Sequence, residues 1–172
     1  LEDATALIAR TLARHQLDVP FAALYLVSPD GQQARLAGAA HVDPGAPLAP
    51  REIALVGDRS SPLAVAARTG AVALVDRLEE RFGVIGGGPY PESPQAAMVL
   101  PILIAGRAHP LGLLVAGVSP RRPLDDAYRT FYVMLQESVT NALASARSYE
   151  EEKKRAEALA EIDRAKTTFF SN

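Results

Sequence analysis

The residues able to do chemistry are few and scattered. His15, His41 and His109 are the only imidazoles, and none stands at metal-ligand spacing from another histidine or a carboxylate. The chain has no cysteine, which removes disulfides, thiolate metal sites and cysteine nucleophiles together. Gly86-Gly87-Gly88 has the flexibility of a phosphate cradle but lacks the lysine and Ser/Thr of a P-loop, and no clear helix start follows it. No nucleophile-elbow pattern occurs. The expectation is a chain with no catalytic residue and no metal site.

Binding is better supported than catalysis. Residues 78–95 (LEERFGVIGGGPYPESPQ) hold three consecutive glycines and three prolines, so neither a stable helix nor a central strand is expected there. The same stretch carries Phe82, Val84, Ile85 and Tyr90. Burying one such side chain is worth roughly 1.5–3 kcal/mol. The segment is therefore expected to fold back over a sheet edge, enclosing a ligand site with Phe82, Tyr90 and Met98 among its lining residues. Plain core packing is the alternative for each of them. No cofactor is implied, and the ligand class left open is an unidentified small molecule.

The elements that must position these residues follow from periodicity. Apolar residues Ala4, Leu7, Ile8, Leu12 and Ala13 have helical spacing, predicting a helix over 4–17 that stops before Pro20. Residues 21–27 and 33–40 flank Ser28-Pro29-Asp30-Gly31, whose turn chemistry predicts a hairpin. Residues 43–54 are rich in Pro and Ala and read as a loop. Ser61-Pro62 opens a second helix that Gly70 ends. Residues 71–75, 96–104 and 111–118 have strand length. From Leu124 onward there is no glycine or proline, so one helix is predicted to run to the end. Its first half should bury Tyr128, Phe131, Tyr132, Leu135, Val139, Ala142, Leu143 and Ala146.

Composition narrows the class. A net charge of −2 without a basic block argues against a general nucleic-acid or membrane-surface binder. No apolar run approaches the ~18 residues that suggest a membrane span. With cysteine absent, the expected location is cytoplasmic, and no membrane contact by this stretch is expected. The preponderance of arginine over lysine, with many alanines, fits a GC-rich bacterial genome.

Ala23 to Gly31, Ser61 to Gly70, and Met98 to Ile102 followed by Leu111 to Val115, taken in this order and spacing, together resemble a GAF domain over about residues 3 to 147. Ala23 to Gly31 (ALYLVSPDG) looks like that family's first strand and turn. Ser61 to Gly70 (SPLAVAARTG) looks like its connecting helix. Met98-Val99-Leu100-Pro101-Ile102 followed by Leu111-Gly112-Leu113-Leu114-Val115 looks like its closing strand pair. The resemblance implies an α/β (α+β) fold: a central antiparallel sheet of about six strands flanked by helices. It also places residues 78–95 beside the family's ligand pocket, where the glycines would make them a mobile lid. The Asn-Lys-Phe-Asp-Glu signature of cyclic-nucleotide-binding members is missing, as are the cysteines that other members use for pigment attachment or methionine sulfoxide reduction.

A second resemblance lies at the end. Lys166-Thr167-Thr168-Phe169-Phe170-Ser171-Asn172 is similar to the lead-in to the phosphoacceptor segment of sensor histidine kinases. The chain ends just before the position at which that family carries its histidine. This implies a GAF-like sensor domain over 1–147 and a coiled-coil signalling helix over 148–172, leading to a kinase dimerisation domain. The parent protein would be a dimeric two-component histidine kinase whose further partner is a response regulator. A seam through Leu135, Val139, Ala142, Ala146, Tyr149, Lys153 and Ala156 steps by four and three, as a coiled coil requires. It continues through Leu159, Ile162, Lys166 and Phe169 after one repeated step of three, a phase slip that overwinds the coil locally. A homodimer through this helix is therefore expected. The alternatives are a ligand-free dimerisation spacer and a small-molecule enzyme on the same scaffold.

Overall fold

The computed structural model of the 172-residue chain describes residues 1–58, 60–86 and 88–172. In chain order the elements are α1 (Glu2–Ala13), β1 (Ala22–Val27), β2 (Gln33–Ala40), β3 (Glu52–Ala54), α2 (Pro62–Thr69), β4 (Ala73–Val75), α3 (Leu78–Phe82), β5 (Ala97–Ile102), β6 (Gly112–Gly117) and α4 (Asp126–Ser171). The strands form one six-stranded sheet in the order β3-β2-β1-β6-β5-β4, and every neighbouring pair is antiparallel. This is the expected α+β architecture.

The hairpin β1–β2 turns where Gly31 takes φ +72 and Asp30 Oδ1 accepts the Gln32 N–H at 3.0 Å. α2 begins with Pro62 in its first turn and ends at Gly70, whose left-handed φ of +67 closes the helix. β5 and β6 are buried at every position, because the sheet is covered on both faces.

Strand alternation sorts the interior into two layers. On one face Leu24, Met98, Leu100, Ile102, Leu114 and Ala116 pack with Leu12 of α1 and with Tyr128, Tyr132, Val139 and Leu143 of α4. On the other, Phe21, Tyr25, Val27, Val99, Leu113 and Val115 pack under Ala66 of α2, Leu78 of α3 and the chain around Ala49 and Leu55. Gly112 lies where two strands come closest: a Cβ there would stand 2.5 Å from the Tyr25 carbonyl oxygen.

Three expectations need correction. The first helix stops at Ala13 rather than residue 17, because Arg14 and His15 donate to carbonyls three residues back and the chain tightens into turns. Residues 43–54 are not loop throughout: Glu52–Ala54 pairs with β2 as an edge strand. Residues 78–95 do contain a helix, since Leu78–Phe82 precede the glycines and prolines and Gly83, at φ +78, ends it.

α4 is the largest element, at 46 residues. The Asp125 side chain caps it by accepting the Tyr128 N–H at 2.8 Å. Its first turns are tied to the sheet by side-chain bonds. The Tyr128 hydroxyl donates to the Asp18 carbonyl and accepts the Ser119 N–H at 3.0 Å. Tyr132 donates to the Gly117 carbonyl at 2.7 Å, and Gln136 donates to the Pro101 carbonyl at 2.6 Å. From residue 151 onward every residue of the helix is exposed.

Candidate functional site

A groove opens where the chain leaving β2 faces the end of α3. Its volume is ≈ 560 Å³, and its walls include His41, Asp43, Leu48, Phe82, Val84 and Ile85. Val42, Leu48 and Ile85 also rest on the buried layer below, so the groove is floored by apolar side chains. Val84 is 75% exposed and Phe82 37%, leaving apolar surface open to water at the mouth. The groove thus joins an apolar floor to polar walls that include His41 and Asp43, a mixture that can both bury and orient a small molecule.

His41 is held in an uncommon conformation, with φ +56. Its Nε2 lies 2.8 Å from the Ala13 carbonyl oxygen, tying the groove wall to the end of α1. The opposite wall is closed on itself. The Ile85 N–H donates to Ser93 Oγ at 3.2 Å, and the Leu78 N–H donates to the Gln95 carbonyl at 3.1 Å. The segment beyond α3 thus behaves as a compact loop with joined ends.

Of the three proposed lining residues, Phe82 lies in the groove wall. Met98 is placed on the other face of the sheet, 5% exposed among Leu100 and Ile102 in the α1/α4 layer. Strand parity is the reason: Ala97 and Val99 face the groove-side layer, so Met98 between them faces away. Tyr90 is half-buried outside the groove, with the Arg121 guanidinium 4.5 Å from its ring centroid. Of the glycine triplet, Gly86 lines the groove, and Gly87 lies outside the described residues. His41, Asp43 and Leu48 were not anticipated. Asp43 and Leu48 come from the stretch read as loop and His41 from just before it, and no local pattern marks them as lining a site.

A second cavity, ≈ 400 Å³, lies at the far end of the sheet among Asp30, Leu55, Arg68 and His109. Ser28 donates to Asp30 Oδ1 there, and with the Gln32 N–H this holds the Asp30 carboxyl below the usual carboxylate range. The serine hydroxyl therefore serves a turn. Among the described residues no group of three His, Cys, Asp or Glu could hold a metal ion, and no helix is long and apolar enough to cross a membrane.

The seam of α4 divides in two. Val139 is 4% exposed and Leu135 half-buried, both packed in the domain's own core. Ala146 is half-buried and Ala142 exposed. Tyr149, Leu159, Ile162 and Phe169 are each more than 60% exposed, and Ala156 is exposed too. Leu135 and Val139 thus face the sheet and are not open to a second chain, while the later positions are open.

No family model and no curated protein matches the sequence. Solved structures do match the fold. The second GAF domain of DevS from Mycobacterium smegmatis is 17% identical, with 87% of this chain and 96% of that chain covered, at a TM-score of 0.59. A GAF domain region of a putative membrane protein from Geobacter sulfurreducens PCA is 13% identical, covering 83% and 93%, at 0.62. A type II free methionine-R-sulfoxide reductase from Thermoplasma acidophilum is 11% identical, covering 84% and 92%, at 0.58. The fold of this chain is that of a GAF domain. The range of these proteins means that function must be argued from the site.

Proposed function

We propose that this chain is the sensory or regulatory GAF-like module of a signalling protein. In this reading it takes a small molecule with both apolar and polar groups in the groove lined by residues 41–48 and 82–86. The observation that carries it is the double character of α4. One unbroken helix is a core element at Tyr128, Tyr132, Val139 and Leu143, and an exposed rod from residue 151 onward. A change in how the sheet seats the first half moves the second half as a lever. Two copies pairing through Tyr149, Ala156, Leu159, Ile162 and Phe169 would carry that motion toward a kinase core. The resemblance of the Lys166 to Asn172 run to the lead-in of a phosphoacceptor segment supports a sensor histidine kinase as the parent protein, with a response regulator downstream. A ligand shifts such an equilibrium only by its differential affinity, about 1.4 kcal/mol for each tenfold preference.

The second reading is a ligand-free spacer. It is favoured by Phe21 and Tyr25, both 1% exposed, which fill the layer beneath α2 with side chains. The open groove favours the sensor.

Self-association through the exposed seam is the test. Sedimentation at several concentrations should show a dimer for the wild type and a folded monomer for Leu159→Glu with Ile162→Glu. A wild type monomeric at all concentrations, or a double variant that stays a tight dimer, overturns the assignment.

A further inference from the structure

The groove wall and the base of α4 are joined by a chain of contacts through one arginine. Ile85, in the groove, is bonded to Ser93. Next to Ser93, Glu92 receives both arms of Arg121: Nε to Oε2 at 3.0 Å and Nη2 to Oε1 at 3.1 Å. The same guanidinium covers the Tyr90 ring at 4.5 Å. Arg121 belongs to the short connector between β6 and α4, and its own N–H points to Ser119 Oγ at 3.4 Å. The Ser119 N–H in turn donates to the Tyr128 hydroxyl in the first turn of α4. The neighbouring Arg122 pairs with Asp18 at 3.1 Å and covers the Tyr128 ring at 4.6 Å. Two adjacent arginines thus hold different partners, Arg121 the stretch around Tyr90 and Glu92 and Arg122 the root of α4.

We propose that Arg121 is a clasp coupling the stretch from Tyr90 to Ser93, which is tied to the groove wall at Ile85, to the seating of α4, so that displacement of Glu92 and Tyr90 is felt at Ser119 and Tyr128. A bidentate guanidinium–carboxylate pair stacked on an aromatic ring fixes direction as well as distance, which a lysine in its place would not. The Glu92 and Arg121 side chains are about half exposed, at 53% and 50%. The coupling is therefore modest and reversible, as a switch requires, and the fold does not depend on it. Its signalling role rests on the sensor reading above; the coupling itself does not.

Amide hydrogen exchange by NMR in the ligand-free protein tests it. Glu92→Gln alters only the side of residues 90–93 and Arg121→Gln only the connector side. Each should speed exchange at both the Ile85 and the Ser119 amides, by about three- to tenfold. The double variant should not exceed Arg121→Gln, because that single change already removes both the Glu92 pair and the Tyr90 contact. Arg121→Lys should recover only part of the protection. Glu52→Gln, on the distant edge strand, should change neither amide, and urea midpoints corrected for global stability separate local opening from unfolding. Effects confined to the mutated side, or effects that multiply in the double variant, overturn the clasp. That outcome leaves the groove reading standing, whereas a groove that binds nothing leaves the clasp measurable.

Discussion

At the residue scale the tyrosines are the most informative side chains. Tyr25 is buried, and among the described residues its hydroxyl has no hydrogen-bond partner. Burial pushes its pKa up to about 12. Removing an unpaired buried hydroxyl while keeping the ring is neutral or stabilising, by up to about 1 kcal/mol. Tyr132 differs, because it donates to the Gly117 carbonyl and touches Tyr128. Its loss leaves buried acceptors unmet and costs about 1–3 kcal/mol. Urea unfolding of Tyr25→Phe and Tyr132→Phe should separate in that order. The pH sense follows from linkage. A group whose pKa is raised by folding contributes stability that is intact below its unfolded value, near 10, and is lost as pH rises toward its folded value. Stability should therefore fall between about pH 10 and 12. Tyr25→Phe should weaken that fall without abolishing it, since burial also raises Tyr132. An unchanged alkaline profile would contradict the assignment.

At the element scale, α4 makes opposite demands on its two halves. Val139 is a core residue, so Val139→Glu places an uncompensated charge in the layer shared with Leu100 and Tyr132. The expected cost is about 3 kcal/mol or more, enough to threaten a marginally stable domain. Leu159→Glu, at an exposed position, should leave the thermal midpoint of the domain nearly unchanged. Circular dichroism melting of both variants checks this, and equal losses would contradict the division of the helix. The seam that marks the helix steps by four and three as far as Ala156 and slips phase only beyond it, so it does not mark where the helix leaves the core. A 3.6-residue helix drifts about 20° per heptad against a 3.5 repeat. One apolar stripe drawn on the sequence therefore does not stay on one face, and the sheet takes its beginning. α3 shows the same limit on a smaller scale. The glycines and prolines after Gly83 condemned the whole segment to irregularity, yet Leu78 to Phe82 had room for a turn of helix before them.

At the scale of the whole molecule, the proposed sensory role gives this chain no chemistry of its own, and its sequence carries no P-loop pattern. Incubated with labelled ATP, the chain alone should neither retain label nor release phosphate. Stable labelling would overturn the proposed sensory role.

Five of the six strands, the turn at Asp30-Gly31, the limits of α2 and the unbroken length of α4 were legible in the residues, while β3 and the order of the strands in the sheet were not. The legible features each depend on local rules: the steric range of glycine and proline, capping groups and the period of apolar positions. The facing of Met98 and the fate of Val139 were not legible. A strand's inside is defined by what covers it, and β5 is apolar on both faces, so alternation along Ala97 to Ile102 carries no sign of which face meets α4. The groove was half legible. Phe82 advertised itself as apolar surface on a segment rich in breakers, while His41, Asp43 and Leu48 lie some forty residues earlier on an unremarkable stretch. Their meeting depends on the β2–β1–β6–β5–β4 order, which carries the chain from one side of the sheet to the other before returning it over its own earlier course. Local preferences act over a few residues. The meeting of distant walls is set by the balance of burial over the whole sheet, and no short window of sequence contains it.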